Sequence, residues 1–285
     1  MSFEVLQEFI RAPRAILGFG GWPDAGGVVA QVASALRRSC DHQLTASWNL
    51  DGYWHTGVQR PRVTVEHGRM RRLSWPSFDF FTLSPPQGDP VLLGMGMEPC
   101  CRWRKFAQEL FYHLNQWECQ EIVLLGSLYD QVFYDEVVIS AVARDVWGMN
   151  LMRELECRPV EYEGPSGIQG WIMEAAPSSG MRCLCLWSHM PSYLQSPHEL
   201  ILARYLEKVG QLAGVRPDTW SLMERWRDRV REIEELLREN EELDQLVQLL
   251  KNKEESVDDA PDASRKVVSL EEFLKKRRPP ESDPF

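Results

Sequence analysis

The sequence predicts an α/β protein, with a central mixed sheet flanked by helices and a C-terminal helical hairpin. Apolar segments of strand length alternate with helical patterns as far as residue 215, the order expected of a layered sheet-and-helix body. Beyond that point charged residues dominate, yet Met223, Trp226, Val230, Ile233 and Leu237 keep an alternating spacing of three and four, the seam of an amphipathic helix. A chain of 285 residues is long enough for one large core with an appendage. The expected organisation is therefore a core domain over 1–215, a helical hairpin over 216–253, and an acidic linker and flexible tail over 254–285.

The elements follow in order. "RAILGFG" reads as a strand, and the valines and alanines after Gly27 recur at helical spacing. "RVTVEHGRMRRLSW" reads as a hairpin turning at His67 and Gly68, because two β-prone runs flank a short turn-forming pair. "DPVLLGMG" is a buried strand. In the next helix Trp103, Phe106, Ala107, Leu110, Phe111, Leu114 and Trp117 share one face, with Arg102, Arg104, Lys105, Glu109 and Gln116 on the other. "EIVLLGS" and "MRCLCLW" supply two more strands.

Two helix starts carry capping signatures. Ser166 and Gln169 have the spacing of a capping box, and Ser196-Pro197-His198-Glu199 adds proline at the first helical position. The C-terminal seam breaks at Asn240 and resumes at Leu243, Leu246, Val247 and Leu250, which predicts two antiparallel helices in place of one long coil. "KNKEESVDDAPDASRK" is an acidic, solvated linker, and Ser269 with Glu272 caps one short amphipathic turn in the tail.

A net charge of −10 and a pI near 5.2 exclude general affinity for nucleic acid or anionic membrane. No apolar run reaches the ~20 residues of a membrane span, and the N-terminal residues lack a signal-peptide pattern, so a cytoplasmic protein is expected. The seven cysteines form no paired CxxC set and are expected as buried, reduced thiols; with no HExxH among the six histidines, neither a metal nor a cofactor is expected.

The stretch "ILGFGGWPDAGGVVAQVASAL" asks whether its glycines cradle a phosphate or shape a turn. The GxxxxGK[ST] loop is missing its lysine and hydroxyl, and GxGxxG fails because Pro23 takes the third glycine position. What remains is a strand, a turn and a helix, with Asp24 placed to cap the helix and compete with any anion there. Glu98, Asp130 and Glu163 each follow a strand-like run, where ligands bind in open α/β sheets. They fit general acid/base or cation chemistry, but the favoured reading is that each caps a neighbouring helix or binds loop amides. Neither Ser127 nor Ser166 sits in GxSxG, and His189 reads as hydrogen-bonded structure. Of the eleven tryptophans, Trp22, Trp75, Trp103, Trp171 and Trp187 flank loops or helix starts, where they serve core packing or a partner-binding surface.

These pieces together resemble the proteasome assembly chaperone 2-like family. "GFGGWPDAGGVVA", "QRPRVTVEHGRMRRLSWP", "LLGMGMEPCCRWRKF", "EYEGPSGIQGW" and "LWSHMPSYL" stand in the family's order across about residues 12 to 250. The resemblance implies a phosphorylase/hydrolase-like fold without established catalytic residues, a homo-oligomer with a trimer favoured, and protein clients. Two features depart from the family's pattern: "FYDEVV" follows "LLGSLYDQV" where many relatives carry a Pro-His-Thr-Arg-Pro-like segment, and the ending "SDPF" lacks the hydrophobic-Tyr-any residue signature of ring docking.

The leading expectation is a non-enzymatic protein-binding or assembly-chaperone-like protein. The alternative is a small-molecule enzyme or binding protein for nucleosides or phosphorylated ligands. Either would use a strand-end crevice for which Gly21, Trp22, Asp24, Glu98, Trp103, Tyr129, Asp130, Glu163 and Gly164 are the candidate residues, with catalytic residues unassigned.

Overall fold

The computed structural model describes residues 3–6, 10–57, 59–194, 198–241, 244, 245 and 247. The expected linker and tail over 254–285, including the capping signature at Ser269 and Glu272, lie outside the described residues.

One nine-stranded mixed sheet organises the body. Its strands run in the order β1 (Phe3–Val5), β3 (Asp41–Asn49), β6 (Ser77–Ser84), β7 (Val91–Met97), β2 (Arg14–Gly20), β8 (Glu121–Asp130), β11 (Arg182–Pro191), β9 (Ile139–Ala143) and β10 (Arg158–Pro159). The four central strands, β7, β2, β8 and β11, are mutually parallel, so their carboxyl ends share one edge. Antiparallel β6, β3 and β1 extend one side; on the other β9 runs antiparallel to β11 and β10 parallel to β9.

Among the described residues six α-helices, α1 (Val28–Arg38), α2 (Trp103–Gln116), α3 (Val146–Glu154), α4 (Ile168–Ala175), α5 (Glu199–Leu212) and α6 (Trp220–Glu239), accompany the sheet. Alternate residues of each central strand go to opposite cores, as a period of two requires. Ile16, Val123, Leu125, Leu184 and Leu186 pack with α1 and α5. Leu17, Phe19, Ile122, Leu124, Cys183 and Cys185 pack with α2 and α4 on the other face. Burial on both faces explains why these strands read as unbroken apolar runs. The predicted apolar face of α2 is buried from Phe106 to Leu114, with Trp117 capping its end.

The hairpin expected at His67 and Gly68 forms as β4 (Arg62–Glu66) and β5 (Arg69–Ser74), which among the described residues pair only with each other. His67 and Gly68 both have positive φ, 49° and 76°, the backbone a two-residue hairpin turn needs.

Both capping expectations require correction. Helix α4 starts where expected, but Ser166 Oγ donates to the Gly167 carbonyl and Gln169 is buried; the Ile168 amide donates to Glu98 Oε1 at 2.8 Å. A distant carboxylate does the work that the local box was expected to do. Helix α5 begins at Glu199 with His198 as N-cap, its ring accepting from the Ile201 amide, while Ser196 and Pro197 lie outside the described residues.

The seam of α6 is buried at Trp226, Ile233 and Leu237 against Tyr134, Tyr193, Leu194 and Leu200. Asn240 leaves helical geometry at φ −134° and ψ 92°, where the seam was seen to break, and Val247 beyond it returns to the same apolar cluster. Leu243, Leu246 and Leu250 lie outside the described residues. The cysteines are free, but Cys100 and Cys101 are exposed, against the expectation of burial, because they occupy the loop between β7 and α2.

Candidate functional site

The glycine stretch crosses the parallel strand edge. A Cβ on Gly18 would stand 2.6 Å from Val29 Cγ1, so glycine there lets α1 lie close on β2. Gly26 and Gly27 have φ of 64° and 66°, a left-handed pair that turns the chain into α1. Asp24 Oδ1 accepts from the Val29 amide at 2.7 Å and Oδ2 faces the Ala30 amide at 3.4 Å. The amide bonds a phosphate would want are thus already held by a carboxylate. Burial outweighs those bonds and pushes the Asp24 carboxyl up to about 6.

Neighbouring candidates gather around this turn. Asp24 forms a parallel bridge to Ser127, whose amide donates to the Pro23 carbonyl at 2.8 Å and whose hydroxyl donates to Ala25 at 3.0 Å. Tyr129 Oη accepts from the Gly26 amide at 3.2 Å, while its ring stays 49% exposed. Trp22 is 62% exposed beside Gly167, where an added Cβ would lie 3.3 Å from the indole and 3.0 Å from Glu98 Oε1. Burial raises the Glu98 carboxyl, and the Ile168 amide opposes the shift. Gly21, Trp22, Asp24, Glu98 and Tyr129 therefore belong to one stretch of edge.

Other candidates point elsewhere. Asp130 Oδ2 lies 2.7 Å from His189 Nδ1 and its Oδ1 accepts from the Gln131 amide at 2.7 Å. The hydrogen bond to His189 holds the Asp130 carboxyl below its ordinary range against partial burial. Trp103 turns its indole N–H onto the Pro99 carbonyl at the start of α2. Glu163 and Gly164 occupy the exposed loop after β10, where Tyr162 Oη donates to Pro165. The three acids have separate surroundings, and among the described residues no group of three His, Cys, Asp or Glu side chains could hold a metal ion.

One arrangement was not foreseen from the sequence. His189 Nε2 lies 2.7 Å from Ser140 Oγ, completing an Asp130–His189–Ser140 relay. With Nδ1–H donating to the carboxylate, Nε2 accepts from the serine. Its connectivity is that of a nucleophilic triad, yet Ser140 is 1% exposed and lies within strand β9, so a substrate carbonyl has no approach. The relay ties β8, β9 and β11 together, and its residues are too far apart in sequence for any motif to show it.

Against this geometry, comparisons with known proteins are informative. The family model described as PAC2 family matches residues 18–237. The chain belongs to the PAC2 family. A Mycobacterium tuberculosis proteasome-assembly chaperone homologue, Rv2125, superposes with a TM-score of 0.73 at 26% identity, over 82% of this chain and 99% of that one. A Streptomyces avermitilis PAC2 family protein gives 0.68 at 27% identity, over 79% and 95%. The archaeal proteasome activator PbaB of Pyrococcus furiosus shares the fold at a TM-score of 0.63 and 16% identity, over 84% and 97%. No protein of curated function matches. In this PAC2 member the strand edge exposes Trp22 and Tyr129, while Asp24 and Glu98 are bound to the amides of α1 and α4.

Proposed function

We propose that this PAC2 protein is a non-enzymatic, homo-oligomeric protein-binding factor of assembly-chaperone type, a trimer by preference, acting on protein clients in the cytoplasm. The observation that carries the reading is the β4–β5 hairpin. Val63 stands opposite Leu73 and Val65 opposite Met70, so four apolar side chains share one face, and all four are exposed. An isolated two-stranded hairpin is marginal in water, and an uncovered apolar face marks a contact surface. Support also comes from the family and from its relatives described as a proteasome-assembly chaperone homologue and a proteasome activator.

Sedimentation of the full chain is expected to give a multiple of the protomer mass, with a Val63→Ser/Leu73→Ser variant reduced to the monomer. A monomeric wild type overturns the oligomeric reading. Native pull-down is expected to recover a stoichiometric client; recovery of the protein alone, together with turnover of a small metabolite, overturns the non-enzymatic one.

The exposure of Trp22 and Tyr129 favours the strand edge as the client or ligand surface, with Asp24 and Glu98 behind it and Asp130, Trp103, Glu163 and Gly164 as its outer candidates. Trp22→Ala is expected to weaken client capture while leaving the oligomer intact. If nucleosides, nucleotides and phosphate give no thermal stabilisation that Trp22→Ala abolishes, the small-molecule alternative at this edge falls.

A further inference from the structure

A cavity of about 790 Å³ lies away from the strand edge, between α1, α5 and the start of α6. Three arginines from three segments line it: Arg38 near the end of α1, Arg216 between α5 and α6, and Arg225 on α6. Arg38 donates to Ser34 Oγ at 2.6 Å. Arg216 and Arg225 have no hydrogen-bond or ion-pair partner among the described residues. Two acids share the wall: Glu199 Oε2, which makes no hydrogen bond among the described residues, lies 3.5 Å from Arg229 Nε, and Asp218 Oδ1 accepts from the Trp220 amide at 2.9 Å. Ser221 adds a hydroxyl, Ser39 Oγ already donates to the Ala35 carbonyl at 2.8 Å, and Leu202, Leu206 and Leu222 give an apolar floor.

We infer that this cavity binds a small phosphate-bearing anion. Three guanidinium groups outnumber the two carboxylates on this wall and leave it a local positive excess, and in a chain of net charge −10 such a convergence does not arise from a general excess of base. Guanidinium is the side chain suited to phosphate oxygens, which it meets with two parallel N–H bonds. The Ser221 hydroxyl supplies a further donor, and the leucine floor accommodates the organic part of a phosphate ester. The cavity size suits a ligand of that scale. The site is independent of the oligomeric reading, since it uses none of the hairpin residues.

The test is calorimetric titration of the full chain at constant ionic strength with inorganic pyrophosphate, a nucleoside diphosphate and citrate. Pyrophosphate or the diphosphate is expected to bind, and Arg216→Gln and Arg225→Gln are each expected to weaken binding by about tenfold or more, as loss of a charge-assisted pair does. A tighter diphosphate points to a phosphate ester as the ligand, and equal affinities to the free anion; both outcomes support the site. Arg144→Gln, which alters only the surface pair with Glu174, is the control and should bind normally. No binding at millimolar concentration overturns the proposal, as does citrate binding equally well. Binding lost in Trp22→Ala and kept in the arginine variants also overturns it, because the ligand then sits at the strand edge. Sedimentation of the same variants separates this outcome from failure of the oligomeric reading.

Discussion

Asp24 shows how one side chain can both build a turn and strain it electrostatically. Its two oxygens hold the start of α1, yet burial lifts its folded pKa from 3.8 to about 6. The native state therefore holds this proton more tightly than the unfolded chain, so its contribution to stability is greatest below pH 3.8 and declines as pH rises to about 6. The full decline is at most about 3 kcal/mol. Asp24→Asn keeps an amide-accepting oxygen and removes the charge. Its melting temperature relative to wild type is expected to rise between pH 4 and 7, and parallel curves would show that burial does not penalise the carboxylate. Gly18 sets a steric limit at the same turn. Gly18→Ala places a methyl 2.6 Å from Val29 Cγ1 and 2.8 Å from Met95 Sδ; the methionine can swing away but the valine is locked in its helix. A loss of about 1–3 kcal/mol in chemical denaturation is expected.

At the scale of elements, the contact between α5 and α6 depends on a neutral imidazole. His198 caps α5, its Nε2 lies 2.6 Å from the Tyr134 carbonyl, and its ring stacks 4.2 Å from that of Trp226 on α6. Burial first, with Arg229 adding to it, lowers the ring's pKa from 6.5 to about 4. The unfolded chain then binds the proton more readily, so the stability is fully present above pH 6.5 and is lost as pH falls towards 4. Trp226 fluorescence is expected to report loosening of α6 across that window in wild type and a flat response in His198→Asn; an unchanged pH midpoint in the variant would remove His198 from the account. The same residue marks a boundary of what the sequence discloses. Periodicity revealed α2, the seam of α6, the hairpin and the central strands, because each has a complete local pattern. Strands β1, β3, β6, β9 and β10 and helix α3 escaped notice: the first half of β3 is exposed, and β1, β9 and β10 span five residues or fewer. The capping box failed because Glu98, 70 residues from Ile168 in the chain, reaches the helix first. Of the strand-edge candidates, Trp22, Asp24, Glu98 and Tyr129 were legible from strand ends alone. The His189 relay and the arginine cavity were not, since both join segments that only the folded topology brings together.

On the scale of the whole molecule, helices cover both faces of the sheet, and the hairpin is left as an arm whose charge opposes that of the body. Residues 62–74 carry four arginines and a single glutamate, on a chain whose net charge is −10. Arg71 is paired with Glu66, which leaves the arm basic on its polar side and apolar on its other face. In the proposed assembly the arginines would meet the acidic surface of a second copy, and the four apolar side chains would bury against carbon. The two contributions respond oppositely to ionic strength. Raising salt shortens the screening length from about 10 Å at 0.1 M to about 3 Å at 1 M and weakens the attraction between exposed charges, whereas apolar burial persists. Sedimentation equilibrium is therefore expected to show a self-association constant that falls between 0.1 and 1 M sodium chloride without reaching the monomer, because the apolar face still holds. An Arg69→Gln/Arg72→Gln variant is expected to lose the salt dependence and keep the association, while Val63→Ser/Leu73→Ser loses the association at every salt concentration. Salt dependence that survives in the arginine variant would mean that the arm does not carry the electrostatic part of assembly.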